Sequence, residues 1–199
     1  LDKAIRNLKV DSDKAAAAGL KAATVAVKAQ NSKTDNVKLS WNEIAEADGY
    51  IIYLKKGKTY RKLETVKKNR TYFYYTKGSL GKNYTFAVKA YKKTGEKTVY
   101  SKWKSKTIKV VPQAVSINGK AYKGKNKISW NKVSGVTGYR IFKKSGGSWK
   151  RIAVVNNKTF KFVDHKVVKG KTYTYKVKTY CKVKGKNIYG RYSSPITIK

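Results

Sequence analysis

The chain repeats itself. Displaced by 89 residues it falls onto its own sequence, with no gap needed between about Lys38 and Ser105. Lys38, Ser40, Trp41 and Asn42 align with Lys127, Ser129, Trp130 and Asn131, and Gly49, Tyr50 and Ile52 with Gly138, Tyr139 and Ile141. Phe73 aligns with Phe162, and Gly81, Lys82, Tyr84, Thr85, Val88, Lys89 and Tyr91 with Gly170, Lys171, Tyr173, Thr174, Val177, Lys178 and Tyr180. A unit of that length is the size of a domain rather than of a solenoid turn. The expected organisation is an N-terminal segment over 1–22, a first domain over 23–111 and a second over 112–199. The boundary falls near Val111-Pro112-Gln113, at one of only two prolines.

Within each repeat the apolar period is two. Tyr173, Tyr175, Val177, Thr179, Cys181 and Val183 share one strand face, and Thr174, Lys176, Lys178, Tyr180, Lys182 and Lys184 the other. The counterpart places Tyr84, Phe86, Val88 and Ala90 inward and Lys89, Tyr91 and Lys93 outward. Such strands have one buried and one wet face. Lys56-Gly57-Lys58 and Gly146-Gly147, then Gly95 and Gly185, read as hairpin turns. About seven short strands per repeat imply an all-β chain of two antiparallel two-sheet sandwiches. Trp41 and Trp130 are the expected core plugs, and Tyr84 and Tyr173, each after a glycine turn, are expected structural tyrosines of the corner type. Ahead of the repeats, Asp11-Ser12-Asp13 is placed to cap a short helix from Lys14 to Ala18 that Gly19 ends. The alternative is the irregular tail of a preceding domain.

Three segments of the second repeat carry a family resemblance: Ile128-Ser129-Trp130-Asn131-Lys132-Val133, Gly138-Tyr139-Arg140-Ile141-Phe142, and Gly170-Lys171-Thr172-Tyr173-Thr174-Tyr175-Lys176-Val177. Together with Val183 to Ser194, they resemble the fibronectin type III repeats of Gram-positive surface proteins. Repeat one is similar through Trp41, Gly49-Tyr50 and Gly81-Lys82-Asn83-Tyr84, and the resemblance spans roughly residues 23–199. It implies tandem immunoglobulin-like sandwiches that serve as extracellular, secreted or surface-attached spacers or adhesive modules, beside wall hydrolases or other surface domains. Arg-Gly-Asp is absent, so integrin-type recognition is not carried over.

The charge is extreme: 48 Lys and Arg against 10 Asp and Glu, a net +38. Residues 112–199 hold 22 of the basic side chains and one acid, Asp164. Such a surface attracts polyanions of any kind and keeps copies of itself apart, so a monomer is expected. Catalytic chemistry is poorly supplied. His165 is the only histidine and Asp164 beside it reads as a turn residue. Cys181, the only cysteine, falls on the inward row and reads as a small buried hydrophobe. Glu43, Glu46 and Asp48 make a weak candidate cation cluster, with a solvated loop as the ordinary reading. No catalytic residue, metal site or cofactor is expected. The absence of methionine and the start at Leu1 read as a processed chain or a piece of a longer one.

The outward row Lys176, Lys178, Tyr180, Lys182 and Lys184, with Lys89, Tyr91 and Lys93 in repeat one, is the candidate polyanion track. Its outward residues are spaced roughly 6.5–7 Å apart along a strand. The alternative is that these lysines keep the sheet soluble and guard its edge. Trp149, just beyond a hairpin turn, is the candidate sugar-stacking residue. Three functions follow: a non-catalytic spacer or adhesive module touching anionic cell-wall polymer, glycan or a surface protein; a nucleic-acid binder, expected to be nonspecific because lysine far outnumbers arginine; or an accessory carbohydrate- or wall-binding module of a larger secreted hydrolase.

Overall fold

The computed structural model describes residues 2–32 and 36–199. Two compact units divide it. One is built on Val37–Thr76 and Asn83–Lys109 with the N-terminal segment through Gln30, the other on Val110–Lys199 with Lys77–Lys82.

Unit one opens with α1 (Asp2–Ala22) and continues through β1 (Thr24–Ala26), β2 (Lys28–Asn31), β3 (Val37–Ser40), β4 (Gly49–Lys56), β5 (Thr59–Lys67), β6 (Tyr72–Tyr75), β7 (Asn83–Thr94), β8 (Lys97–Tyr100), β9 (Lys102–Lys104) and β10 (Lys106–Lys109). One sheet has the order β2-β3-β6 and the other β10-β7-β4-β5, with β8 also paired to β7. The short β1 runs parallel to β9. Val37, Leu39, Trp41, Tyr50, Ile52, Leu54, Phe86 and Val88 fill the space between the sheets.

Unit two is built on the same plan from β11 (Ile117–Tyr122), β12 (Lys125–Trp130), β13 (Gly138–Ser145), β14 (Ser148–Asn156), β15 (Lys161–Asp164), β16 (Tyr173–Val183), β17 (Lys186–Tyr192) and β18 (Ile196–Ile198). Its sheets are β11-β12-β15 and β14-β13-β16-β17, with β18 beside β16. Ile128, Trp130, Tyr139, Ile141, Tyr175, Val177 and Cys181 form its core. Two matching hairpins even share an irregularity: the β4–β5 register shifts between Ile52 and Tyr53, and the β13–β14 register between Ile141 and Phe142, 89 residues on. The fold class expected from the sequence, two tandem immunoglobulin-like antiparallel sandwiches of the fibronectin type III kind after an N-terminal segment, is the one observed.

The repeated motifs each have a structural cause. The Trp-Asn pair divides its work: Trp41 and Trp130 are buried, while Asn42 Oδ1 accepts from the Ala26 amide at 2.9 Å and Asn131 Oδ1 from the Ser116 amide at 3.2 Å. Each Asn thereby ties down the chain entering its sandwich. In the Gly-Tyr pair, Tyr50 and Tyr139 are fully buried beneath the tryptophans, and their hydroxyls accept from the amides of Ile44 and Val133 at 2.8 and 3.1 Å. The glycine is needed for a close approach. A Cβ on Gly49 or Gly138 would run into the carbonyl of Val66 or Val155 and the ring of Tyr91 or Tyr180.

One local expectation fails. The helix is not a short one from Lys14 capped by Asp11-Ser12-Asp13; it runs Asp2–Ala22, with those three residues in its middle and Gly19 inside its last turns. The run Ala15 to Ala18 and the surrounding Lys, Leu and Arg are strong helix formers, and their summed preference outweighs a mid-helix capping signal. Gly19 costs about 1 kcal/mol relative to alanine, but the fully buried Leu20 anchors the last turn.

Candidate binding faces

The only acid of the second repeat lies inside it. Asp164 ends β15 as an inward residue, opposite Asn126 on β12. Its Oδ2 accepts from Lys143 Nζ and from the Tyr175 hydroxyl, both at 2.8 Å, and its Oδ1 accepts from the Lys166 amide at 2.9 Å. Asn126 Nδ2 donates to the Tyr175 oxygen at 3.1 Å, and Lys143 Nζ also donates to the Lys166 carbonyl at 2.7 Å. Burial raises the carboxyl, but three hydrogen bonds and the Lys143 charge outweigh it and hold Asp164 below its ordinary value. Burial, reinforced by Asp164, pushes Tyr175 up. The sequence reading of Asp164 as a turn residue is therefore corrected: it is the hub of a buried ion-pair network. The exposed neighbour His165 takes no part in it.

Repeat one has no such network at the matching positions. The positions 89 residues earlier are Val37, Leu54, Tyr75 and Phe86, all buried, with Tyr75 and Phe86 in ring contact at 5.2 Å. The same four places hold an apolar cluster in one sandwich and a satisfied polar cluster in the other.

The outer face of β14-β13-β16-β17 carries the lysine row. Alternation along β16 is as expected, with Tyr175, Val177, Thr179 and Cys181 buried between half-buried Lys176, Lys178 and Tyr180. The lysines do not project as a free track. Lys176 Nζ lies 4.1 Å from the Trp149 ring centroid and 3.7 Å from that of Tyr192; Lys178 Nζ lies 4.4 Å from Tyr192 and 5.1 Å from Tyr189. The Arg140 guanidinium sits over Tyr189 at 4.5 Å and Tyr180 at 5.5 Å, and Phe142 meets Tyr192 edge-on. Each contact holds a cation against the negative face of a ring. Burial, then the neighbouring charge, lowers both ammonium groups from the ordinary lysine value, Lys178 acting on Lys176 and Arg140 on Lys178.

Repeat one keeps the rings at the same places but one cation, Lys89, with Ala87 and Ile51 standing where repeat two has Lys176 and Arg140. Lys89 Nζ lies 4.5 Å from Trp103 and 5.6 Å from Tyr100, and Trp103 contacts Tyr53 and Tyr60. Tyr53, Tyr60, Tyr91, Tyr100 and Trp103 are the counterparts of Phe142, Trp149, Tyr180, Tyr189 and Tyr192.

The remaining sequence candidates fall as follows. Trp149 is half-buried with Lys176 over its ring. Tyr91 and Tyr180 are half-buried against Gly49 and Gly138. Lys93 and Lys182 are exposed, their amides bound by Asp48 and Thr137 side chains, and Lys184 is an exposed turn residue with φ of 47°. Tyr84 and Tyr173 are half-buried rather than core, and the Tyr173 hydroxyl accepts from the Val168 amide at 2.9 Å. Buried Cys181 has its Sγ 3.1 Å from the Gly135 carbonyl. Among the described residues no three His, Cys, Asp or Glu side chains are grouped to hold a metal, and no helix is long and apolar enough to cross a membrane.

No family model matches the chain. Among curated proteins it is similar to two amylopullulanases. That of Thermoanaerobacterium saccharolyticum is 42% identical over 43 residues, and that of Thermoanaerobacterium thermosulfurigenes 36% identical over 53 residues. The matches take in 22% and 25% of this chain and 3% of each enzyme's length. Among solved structures, the chicken interferon gamma receptor alpha chain superposes with a TM-score of 0.53 at 13% identity, over 86% of this chain and 95% of the receptor chain. A two-domain fibronectin type III segment of chicken tenascin covers 86% of this chain and 94% of its own length, at 18% identity and a TM-score of 0.39.

Proposed function

We propose that the chain is a non-catalytic extracellular spacer and binding module, its domains meeting near Val111-Pro112-Gln113, whose cationic surface contacts an anionic cell-wall polymer or glycan. One observation carries this reading. The single acid of the second repeat is buried and spent on Lys143, so the other 21 basic side chains there have no carboxylate of their own repeat to pair with. A surface of one sign concentrates polyanions and repels other polycations. The buried thiol, the solitary exposed histidine and the consumed carboxylate support a role without turnover. The exposed Lys93, Lys182 and Lys184 add to the field, while the aromatic-held Lys89, Lys176 and Lys178 give the outer faces an amphiphilic character.

The test is co-sedimentation of the full chain with isolated Gram-positive walls, before and after chemical removal of their anionic polymer. Binding is expected to the untreated walls and to fall steeply between about 0.05 and about 0.2 M salt. Equal binding to stripped walls sinks the reading.

The similarity to two amylopullulanases favours a second reading, in which the module accompanies a secreted enzyme on a longer chain. That reading expects binding to neutral pullulan, insensitive to salt. Nucleic acid is expected to bind only nonspecifically, with affinity collapsing near physiological salt.

A further inference from the structure

The outer face of β11-β12-β15 in unit two carries lysines from all three strands. A depression there is lined by Lys120 on β11, Lys127 on β12, Lys161 on β15 and Lys158 from the turn before it, with Asn118 and Ser129 between them. The register fixes the arrangement. Asn118, Ser129 and Lys161 lie side by side across the three strands, and Lys120 faces Lys127 directly at the next outward level. Cross-strand like charges oppose each other at about 4.5–5.5 Å between Cβ atoms and destabilise a sheet. Among the described residues no ion pair engages Lys120, Lys127, Lys158 or Lys161, and no aromatic ring lies under any of them. This separates them from Lys176 and Lys178, whose charges rest on rings. In repeat one the same outer face is aromatic: Tyr72 replaces Lys161, Asn69 replaces Lys158, and Lys38 lies over Tyr72 and Tyr74.

We propose that this four-lysine depression binds the phosphate groups of a phosphodiester polymer that lacks bases, such as a polyol phosphate. The proposal deepens the polyanion reading and rests on it. Four ammonium groups offer point charges and rotatable donors, the mode in which lysine binds phosphate, without the arginine fork that grips carboxylate and phosphate alike. The depression has no arginine. Ser129 and Asn118 supply neutral hydrogen-bonding groups between the charges. Sequence-tolerant nucleic-acid binding instead needs exposed rings for base stacking. The one ring here, Phe160, is half-buried and packs on Tyr139 at 6.3 Å.

The experiment compares three full-length proteins of known charge. One is the native chain. The second carries Lys120→Gln, Lys127→Gln, Lys158→Gln and Lys161→Gln. The third loses the same number of charges elsewhere in unit two, through Lys144→Gln, Lys150→Gln, Lys169→Gln and Lys186→Gln, all at exposed positions. Binding to poly(glycerol phosphate), to poly-glutamate and to single-stranded DNA of matched charge is measured by calorimetry near 0.15 M salt. Far-ultraviolet circular dichroism confirms that each protein is folded. The expected result is a tenfold or greater loss of poly(glycerol phosphate) affinity in the second protein and no more than about threefold in the third, with poly-glutamate lowered equally in both. Equal losses for poly(glycerol phosphate) overturn the site while leaving the polycation reading intact. Absence of binding to any polyanion overturns both. A DNA affinity that exceeds that of the base-free polymer, and that the second set alone abolishes, overturns the choice of ligand.

Discussion

The exchange of a polar quartet for an apolar one between two otherwise matching sandwiches makes the Asp164 network testable against the protein's own alternative. Asp164→Asn removes the charge and keeps the shape. The side chains of Lys143 and Asp164 are 15% and 7% exposed, so the ammonium left behind is largely desolvated. Breaking a buried pair by neutralising one partner costs about 3–5 kcal/mol. Lys143 keeps its bond to the Lys166 carbonyl, which places the loss near about 3 kcal/mol, a large share of the roughly 5–15 kcal/mol that stabilises a domain. Converting the whole quartet to the repeat-one residues, with Asn126→Val, Lys143→Leu, Asp164→Tyr and Tyr175→Phe, removes both charges together. Val37, Leu54, Tyr75 and Phe86 already fill these places in the same fold. That variant is expected to match the native protein or exceed it by about 1–3 kcal/mol.

Native-state amide exchange at β12, β13 and β16 reads the second sandwich within the full chain. The pH dependence supplies an independent check. Asp164 is lowered in the folded protein, so its contribution is fully present above the unfolded carboxylate value, about 3.9, and is lost as pH falls through the folded value. The native second sandwich therefore weakens below about pH 4 in a way the apolar quartet does not. Equal losses of stability in the single and fourfold variants would make packing rather than charge the cause, and a cost below about 1 kcal/mol for Asp164→Asn would rule out a stabilising buried ion pair.

Three other outcomes are expected. Gly138→Ala and Gly49→Ala each drive a Cβ into a carbonyl and a tyrosine ring, and should cost about 1–3 kcal/mol; Gly19→Ala meets only open space and should stabilise α1 by up to about 1 kcal/mol, all read by urea unfolding. Tyr173→Phe removes the acceptor of the Val168 amide and should cost about 0.5–1.5 kcal/mol in the same assay. Burial raises the Cys181 thiol above its ordinary value, so an aromatic disulfide reagent at pH 8 should label it only when the protein is unfolded; rapid labelling of the native chain would contradict its burial.

Much of the fold was legible because the sequence states it twice. The Trp-Asn and Gly-Tyr pairs recur for reasons that are local and steric, a plug with a tether and a gap for a ring, and each shows plainly in an alignment of the chain with itself. Alternation likewise assigned the correct face to every residue from Tyr175 to Lys182. It could not say where a long side chain ends. Lysine carries its charge on a flexible stem, and Lys176 and Lys178 fold back onto Trp149, Tyr189 and Tyr192. The signal for that was present in the repeat as five aligned aromatic pairs on the outer face, from Tyr53 with Phe142 to Trp103 with Tyr192. The Asp164 network left a different trace. Four aligned core positions turn polar together, and a lone acid among 22 basic residues has to be read with the lysine, tyrosine and asparagine that appear with it. A charge in a core is costly unless paired and hydrogen-bonded, so correlated loss of apolar character at positions brought together by the fold points to one internal network. With that acid spent inside and several outer lysines held on rings, the net charge of the second sandwich does not act evenly over its surface. It is freest where neither a carboxylate nor an aromatic ring is near, and selectivity for an anionic partner is to be sought there rather than along the strand with the most lysines.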